Sequence, residues 1–190
     1  MPNDRSASYD KKYDYNNEEL DSCLKRIADK NEEALAELYY QTSAAVYSFA
    51  LSILRHVHDA EDVLQECYIA VYQAAGGYRS AKKPMAWILT IARNLCLQKI
   101  RQQKRIIDAS EDEWEKFMPD NGNITSEERI LLREALKQLS SEELQIVVLH
   151  LVSGFKHREI AQFLEMPLAT VLSKYHRALK KLKKNYLQGE

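Results

Sequence analysis

The chain predicts an all-α protein: two small helical domains joined by a flexible acidic linker, the C-terminal one containing a helix-turn-helix. Three observations predict this. From Asn17 onward apolar residues recur at threes and fours, the period of a helix with one buried face, and there is no convincing strand. The period breaks over 106–126, IIDASEDEWEKFMPDNGNITS, where an acidic run, a proline and a glycine replace it. It resumes and ends in FKHREIAQFLEMPLATVLSKYHRALKKLKK over 155–184, two helical segments meeting at a tight turn.

Taken in order, residues 1–16 are polar and aperiodic and predict a disordered tail. Residues 17–105 form the first domain. Leu20, Leu24, Ile27 and Ala28 make one apolar stripe; Ala34, Leu35, Leu38, Tyr39, Val46, Phe49, Ala50, Ile53 and Leu54 make a longer one. A third helix is expected near Asp59, whose carboxylate suits a cap, with Asp62 completing a box-like arrangement, and it should stop at Gly76 and Gly77. After Pro84 a fourth helix carries Met85, Ile88, Leu89, Ala92, Leu95 and Cys96 on one face. Trp87 shares that spacing and is expected in the core rather than as a base-stacking group. The linker over 106–126 is longer than compact connections usually are, and Trp114 and Phe117 within it suit docking on a partner or on a neighbouring domain.

Residues 127–187 form the second domain of four helices. Thr125 or Ser126 begins the first, and Ser140 or Ser141 caps the second with Glu143 in its first turn. Pro167 suits the start of the last helix, where a missing N–H leaves no donor unpaired. In that helix Leu168, Val171, Tyr175, Ala178, Leu179 and Leu182 repeat at helical spacing, leaving Thr170, Ser173, Lys174 and Arg177 on other faces. Short polar side chains near a helix start can approach base edges and the cations beyond can meet phosphate, so this segment reads as a DNA-binding helix.

A formal net charge of −1 conceals strong segregation. Residues 81–105 hold seven Lys and Arg with no Asp or Glu, whereas 106–126 hold six acidic residues and one basic. Residues 156–190 are again basic, with eight Lys and Arg against three acidic residues. Two separated basic surfaces suggest two DNA contacts, and the acidic surface of residues 1–80 suggests a protein partner. Asp62, Gln65, Glu66 and Ile69, three or four apart, share one helix face suited to a basic protein.

Cys23, Cys67 and Cys96 sit inside apolar helical patterns and are expected as buried thiols. No apolar run approaches the roughly 18 residues of a membrane span and the polar start lacks a signal-peptide core, so a cytoplasmic protein is expected. No cofactor or metal is expected and no enzyme. His56 and His58 should diverge on a helix; His150, His157 and His176 are scattered without a ligand pattern; and no phosphate loop occurs.

Three segments together, HDAEDVLQECYIAVYQ at 58–73, YRSAKKPMAWILTIARNLCLQKIRQQKR at 78–105 and SGFKHREIAQFLEMPLATVLSKYHRALKKLKK at 153–184, resemble the extracytoplasmic-function sigma factors of the bacterial sigma-70 family. The resemblance implies an alternative sigma factor that directs core RNA polymerase to promoters and assists melting. It implies that Asp62, Gln65, Glu66 and Ile69 dock on the clamp helices of the largest polymerase subunit and that the C-terminal domain meets the flap of the second largest. It implies minus 10 recognition by Lys82, Lys83, Arg93, Asn94, Lys99 and Arg101. At the minus 35 element it implies contact by Lys156, His157, Thr170, Ser173, Lys174 and Arg177. It also implies restraint by an anti-sigma factor, and a linker running near the polymerase active site. The chain departs from the family where glycines are frequent, at Glu165 and Ala169, and where a lysine is frequent, at Leu172. Two other functions fit the helices: a dimeric helix-turn-helix regulator binding two half-sites without polymerase, and a helical adaptor that binds no DNA.

Overall fold

The computed structural model describes residues 15–80, 83–103 and 134–187. Among them the helices are α1 (Asn17–Ala28), α2 (Glu32–Leu54), α3 (Val57–Ala74), α4 (Pro84–Gln103), α5 (Ser141–Leu151), α6 (His157–Phe163) and α7 (Leu168–Leu187). A 3-10 turn, Ala75–Gly77, closes α3, and residues 134–137 are helical ahead of α5. The linker at 106–126 lies outside the described residues, as does most of the expected tail. The last two residues of that tail are engaged: Asn16 accepts from the Glu18 N–H as the cap of α1, and the Tyr15 hydroxyl donates to the Val152 carbonyl.

Local chemistry explains each start. Asn31 accepts from the Ala34 N–H at 2.7 Å and opens α2. The cap of helix α3 lies three residues earlier than expected: His56 Nδ1 accepts from the Asp59 N–H at 3.3 Å, so His56 is the cap and Asp59 lies in the first turn. A non-helical His56 also corrects the expected divergence of the two histidines, since its ring meets that of His58 at 5.9 Å. Ser140 and Glu143 form a reciprocal capping box on α5, with Ser140 Oγ accepting from the Glu143 N–H and Glu143 Oε2 accepting from the Ser140 N–H at 2.9 Å. The Pro167 carbonyl accepts from the Thr170 and Val171 N–H groups and so launches α7 one residue before its first helical position.

Helices α1 to α4 pack around Leu20, Leu24, Leu38, Phe49, Ile88 and Leu89, all fully buried. Full burial of each such side chain contributes roughly 1.5–3 kcal/mol. Helices α5 to α7 close over Leu144, Ile146, Leu149, Ile160, Val171 and Ala178. These two sets share one apolar core. Phe49 of α2 meets Phe163 of α6 edge to face at 5.6 Å, and α2 lies along α5. Arg55 ends α2 in the left-handed region (φ 58°) and donates from Nη2 to the Leu139 carbonyl at 3.0 Å, while Ser141 Oγ donates to the Ser52 carbonyl. All three cysteines are buried and free.

Candidate nucleic-acid and protein interfaces

Helix α3 buries Val63, Cys67 and Val71, which turns Asp62, Gln65, Glu66 and Ile69 to solvent. Ile69 is 59% exposed, a large apolar side chain among polar ones. Glu66 has no ion-pair partner among the described residues. Asp62 does, because Lys99 Nζ of α4 donates to its Oδ2 at 2.6 Å and lies 3.4 Å from Asp59 Oδ1. Lys99, expected at DNA, therefore points to α3, drawn there by two carboxylates. Tyr39, placed in the apolar stripe by spacing, is instead 45% exposed with its ring 4.8 Å from that of Tyr68, and Tyr40 beside it is 88% exposed. Neither tyrosine carried a sequence signal, since an exposed aromatic on an apolar helix reads as core.

The first basic surface lies on α4. Lys82 lies outside the described residues. Lys83, Asn94 and Arg101 are exposed and Arg93 is partly so. Thr90 and Gln98 are exposed on the same helical face as Asn94 and Arg101, and sequence reasoning had not singled them out. Trp87 is partly buried, its ring 4.9 Å from that of Tyr78, in keeping with a core position. Tyr78 in turn donates to Asp21 Oδ1 at 2.7 Å. Burial of Asp21 works to raise its pKa, but the bonds from Ser80, Tyr78 and Lys25 outweigh it and hold the carboxyl below its usual range.

The second basic surface lies on α7. Ser173 and Arg177 are exposed one turn apart, with Lys180 and Lys184 continuing the stripe, and Thr170 is half-buried at its edge. Lys174 is held by Glu142 of α5 at 2.5 Å, which draws it toward the protein. Lys156 is exposed at the start of α6. His157 does not face outward as expected. Its ring lies tilted 4.3 Å from that of His150 and edge to face 4.7 Å from that of Tyr175, and its Nε2 is buried with no hydrogen-bond partner among the described residues. Burial and the neighbouring His150 and His176 push its pKa below the ordinary value. Histidines scattered in sequence thus converge around Tyr175, yet among the described residues no group of three His, Cys, Asp or Glu is placed to hold a metal.

The arrangement joins an acidic and apolar face on α3, an open polar and cationic face on α4, and a cationic stripe on a helix-turn-helix. Residues 38–106 match the Sigma-70 region 2 family and residues 129–182 match Sigma-70, region 4. The chain belongs to the extracytoplasmic-function sigma factors of the sigma-70 family. As a sigma factor it is an alternative RNA polymerase specificity subunit directing initiation, which disfavours both the free-standing regulator and the adaptor. It is 30% identical over 173 residues to the ECF RNA polymerase sigma factor SigK of Mycobacterium bovis, covering 87% of this chain and 92% of that protein. SigK of Mycobacterium sp. strain KMS is 27% identical, covering 87% and 89%. Among solved structures, the sigma factor RpoE in complex with the anti-sigma factor NepR from Bartonella quintana shares the fold, with a TM-score of 0.64 and 20% identity over 80% of this chain and 95% of that one. CnrH in complex with the cytosolic domain of CnrY does so with a TM-score of 0.59 and 20% identity, over 90% of this sigma factor and 99% of that chain. The region 2 match contains α3 and α4, and the region 4 match contains α5 and α6 and most of α7. Among the described residues no helix is long and apolar enough to cross a membrane.

Proposed function

We propose that this sigma factor holds core RNA polymerase through Gln65, Glu66, Ile69 and Asp62 of α3, opens and holds the minus 10 strand on α4, and reads minus 35 duplex with α7. The single observation behind this division of labour is that the three faces are chemically distinct and lie on separate helices of one chain. On α4, Asn94 can hydrogen-bond unstacked bases or sugar-phosphate while Lys83, Arg93 and Arg101 neutralise backbone. On α7, Ser173 and Thr170 lie within the first two turns, where short side chains approach base edges, and Arg177 lies beyond them toward phosphate.

Residues 17–105 and 127–187 act as two domains with 106–126 as the tether, and the C-terminal one meets the polymerase flap. The protein works in the cytoplasm and supplies binding energy rather than chemistry, since the polymerase makes the phosphodiester bonds. One structural relative, RpoE, is in complex with an anti-sigma factor, and a partner of that kind is the expected restraint here.

The test is transcription and permanganate footprinting with purified core enzyme and a promoter-fragment library. Selective initiation only on adding this protein is expected, with Asn94→Ala impairing strand opening and Arg177→Ala impairing upstream duplex contact. Duplex binding without core enzyme at paired half-sites, and no initiation, would transfer the assignment to a dimeric regulator.

A further inference from the structure

The two sets of helices meet along a seam that occupies the cations assigned above to the minus 10 strand. Lys83 Nζ lies 3.7 Å from Glu159 Oε1 of α6, and Arg93 Nη1 lies 3.9 Å from Glu165 Oε1 in the turn between α6 and α7. Both carboxylates come from the helix-turn-helix, and both cations come from the α4 surface. Glu165 sits in the left-handed backbone region (φ 56°), a conformation that favours glycine. A glutamate there accepts conformational strain and brings a carboxylate to Arg93.

The seam is also incompletely packed. A cavity of about 230 Å3 lies between Lys83, Met85 and Ala86 on one side and Phe155, Glu159 and Phe163 on the other. Ser153, 3% exposed, also lines it, and its Oγ has no hydrogen-bond partner. A pocket open to solvent at this point leaves this part of the seam less closely packed than the contact of Phe49 with Phe163. The Lys83–Glu159 pair lines this space, whereas Glu165, outside it, is 83% exposed at its side chain and so open to competing phosphate.

We propose that Glu159 and Glu165 form an electrostatic latch that keeps the helix-turn-helix folded against α4, so that single-stranded DNA must displace these two carboxylates to reach Lys83 and Arg93. The proposal rests on the assignment of α4 to the minus 10 strand. The apolar core shared by α2 and α5 also holds the closed form, so the two solvent-accessible pairs, worth about two- to fivefold each, bias the closed state rather than create it. DNA that binds only the open form gains affinity in proportion to the open fraction.

The contact can be read without any DNA. Zero-length carbodiimide cross-linking of the full chain, mapped by mass spectrometry, should join Lys83 to Glu159, with Lys99 to Asp62 inside the first set as the internal control. The control link without the Lys83–Glu159 link would overturn the closed state. The second measurement is fluorescence anisotropy with a random 12-nucleotide single-stranded DNA pool, comparing the native chain with the Glu159→Gln, Glu165→Gln double variant. Both are amide replacements of similar shape, and circular dichroism verifies the fold. Binding about four- to twenty-fivefold tighter for the double variant, with the oligonucleotide suppressing the Lys83–Glu159 link in the native chain, supports the latch. Equal affinity of the two proteins would overturn it. A cross-link with no oligonucleotide binding by either protein would remove the assignment of α4, and the masking with it, while leaving the contact itself established.

Discussion

Lys99 Nζ of α4 lies 2.6 Å from Asp62 Oδ2 of α3, so one cation of the basic helix is committed to the acidic face of its neighbour. Burial of Lys99 works to lower its pKa, but Asp62 and Asp59 outweigh it and hold the ammonium above its ordinary value. The pair stitches the proposed polymerase face to the proposed DNA-binding helix and leaves Glu66 as the carboxylate most available to a basic partner.

Replacing Lys99 with methionine should therefore act on the fold before it acts on DNA. It leaves Asp59, whose side chain is 14% exposed, beside Asp62 without the shared ammonium. The expected cost is about 1–2 kcal/mol in urea unfolding at pH 7. Promoter opening at a temperature where the variant is folded should stay near the native level, and a defect as large as that of Asn94→Ala would return Lys99 to the DNA-binding set.

On α3, Glu66→Ala should weaken core binding more than Asp62→Ala, because Asp62 is already partly neutralised. A loss of about 1 kcal/mol, roughly fivefold in Kd, is expected for Glu66. A holoenzyme titration in which Asp62→Ala is the more damaging change would show that the polymerase displaces Lys99.

Glu143 is 4% exposed yet charged, closing the box with Ser140 and receiving Lys181 Nζ at 2.6 Å. Burial works to raise its pKa, but the bonds from Lys181 and the Ser140 N–H prevail and lower it below 4.5. Its folded value is depressed, so its contribution is fully present above the unfolded value near 4.5 and is lost as pH falls through the folded one. Glu143→Ala should destabilise by about 2 kcal/mol at pH 7, through the lost cap and the stranded partners. The deficit should shrink at acid pH, and thermal unfolding at several pH values measures both effects.

The buried Nε2 of His157 gives the helix-turn-helix a mild acid sensitivity. His150, His176 and Tyr175 surround the ring, and none of them supplies an anion to stabilise a protonated imidazole. The folded pKa lies below 6.5, so the unfolded chain takes up the proton first and stability falls as pH drops from 6.5 toward the folded value. Thermal unfolding between pH 7.5 and 5.5 should show a decline that is smaller in His157→Gln. An identical slope in the variant would assign the sensitivity elsewhere.

Where a helix is amphipathic, its face was readable. Val63, Cys67 and Val71 mark the inside of α3 by their spacing, and Asp62, Gln65, Glu66 and Ile69 follow as the outside. The start of α3 was misplaced because both His56 and Asp59 can cap, and only the imidazole geometry chooses between them. Spacing within one helix also cannot say which neighbour a long side chain will reach. Lys99, Arg93 and Lys174 all looked like cations for DNA, and each has a carboxylate partner on another element. The meeting of His150, His157 and Tyr175 was likewise invisible, since they belong to three different helices or their ends.

By itself the sequence determined the helical class, most of the apolar face of each helix, a serine cap with Glu143 in the first turn of α5 and the existence of two cationic segments, because helix period, capping and charge content are local properties. Tertiary structure alone decided which cations remain open, that Tyr39 and Tyr40 face solvent, and that Glu159 and Glu165 cover part of α4. Those outcomes depend on which surfaces come within a few ångströms of each other, and that distance is set by packing between helices far apart in the chain.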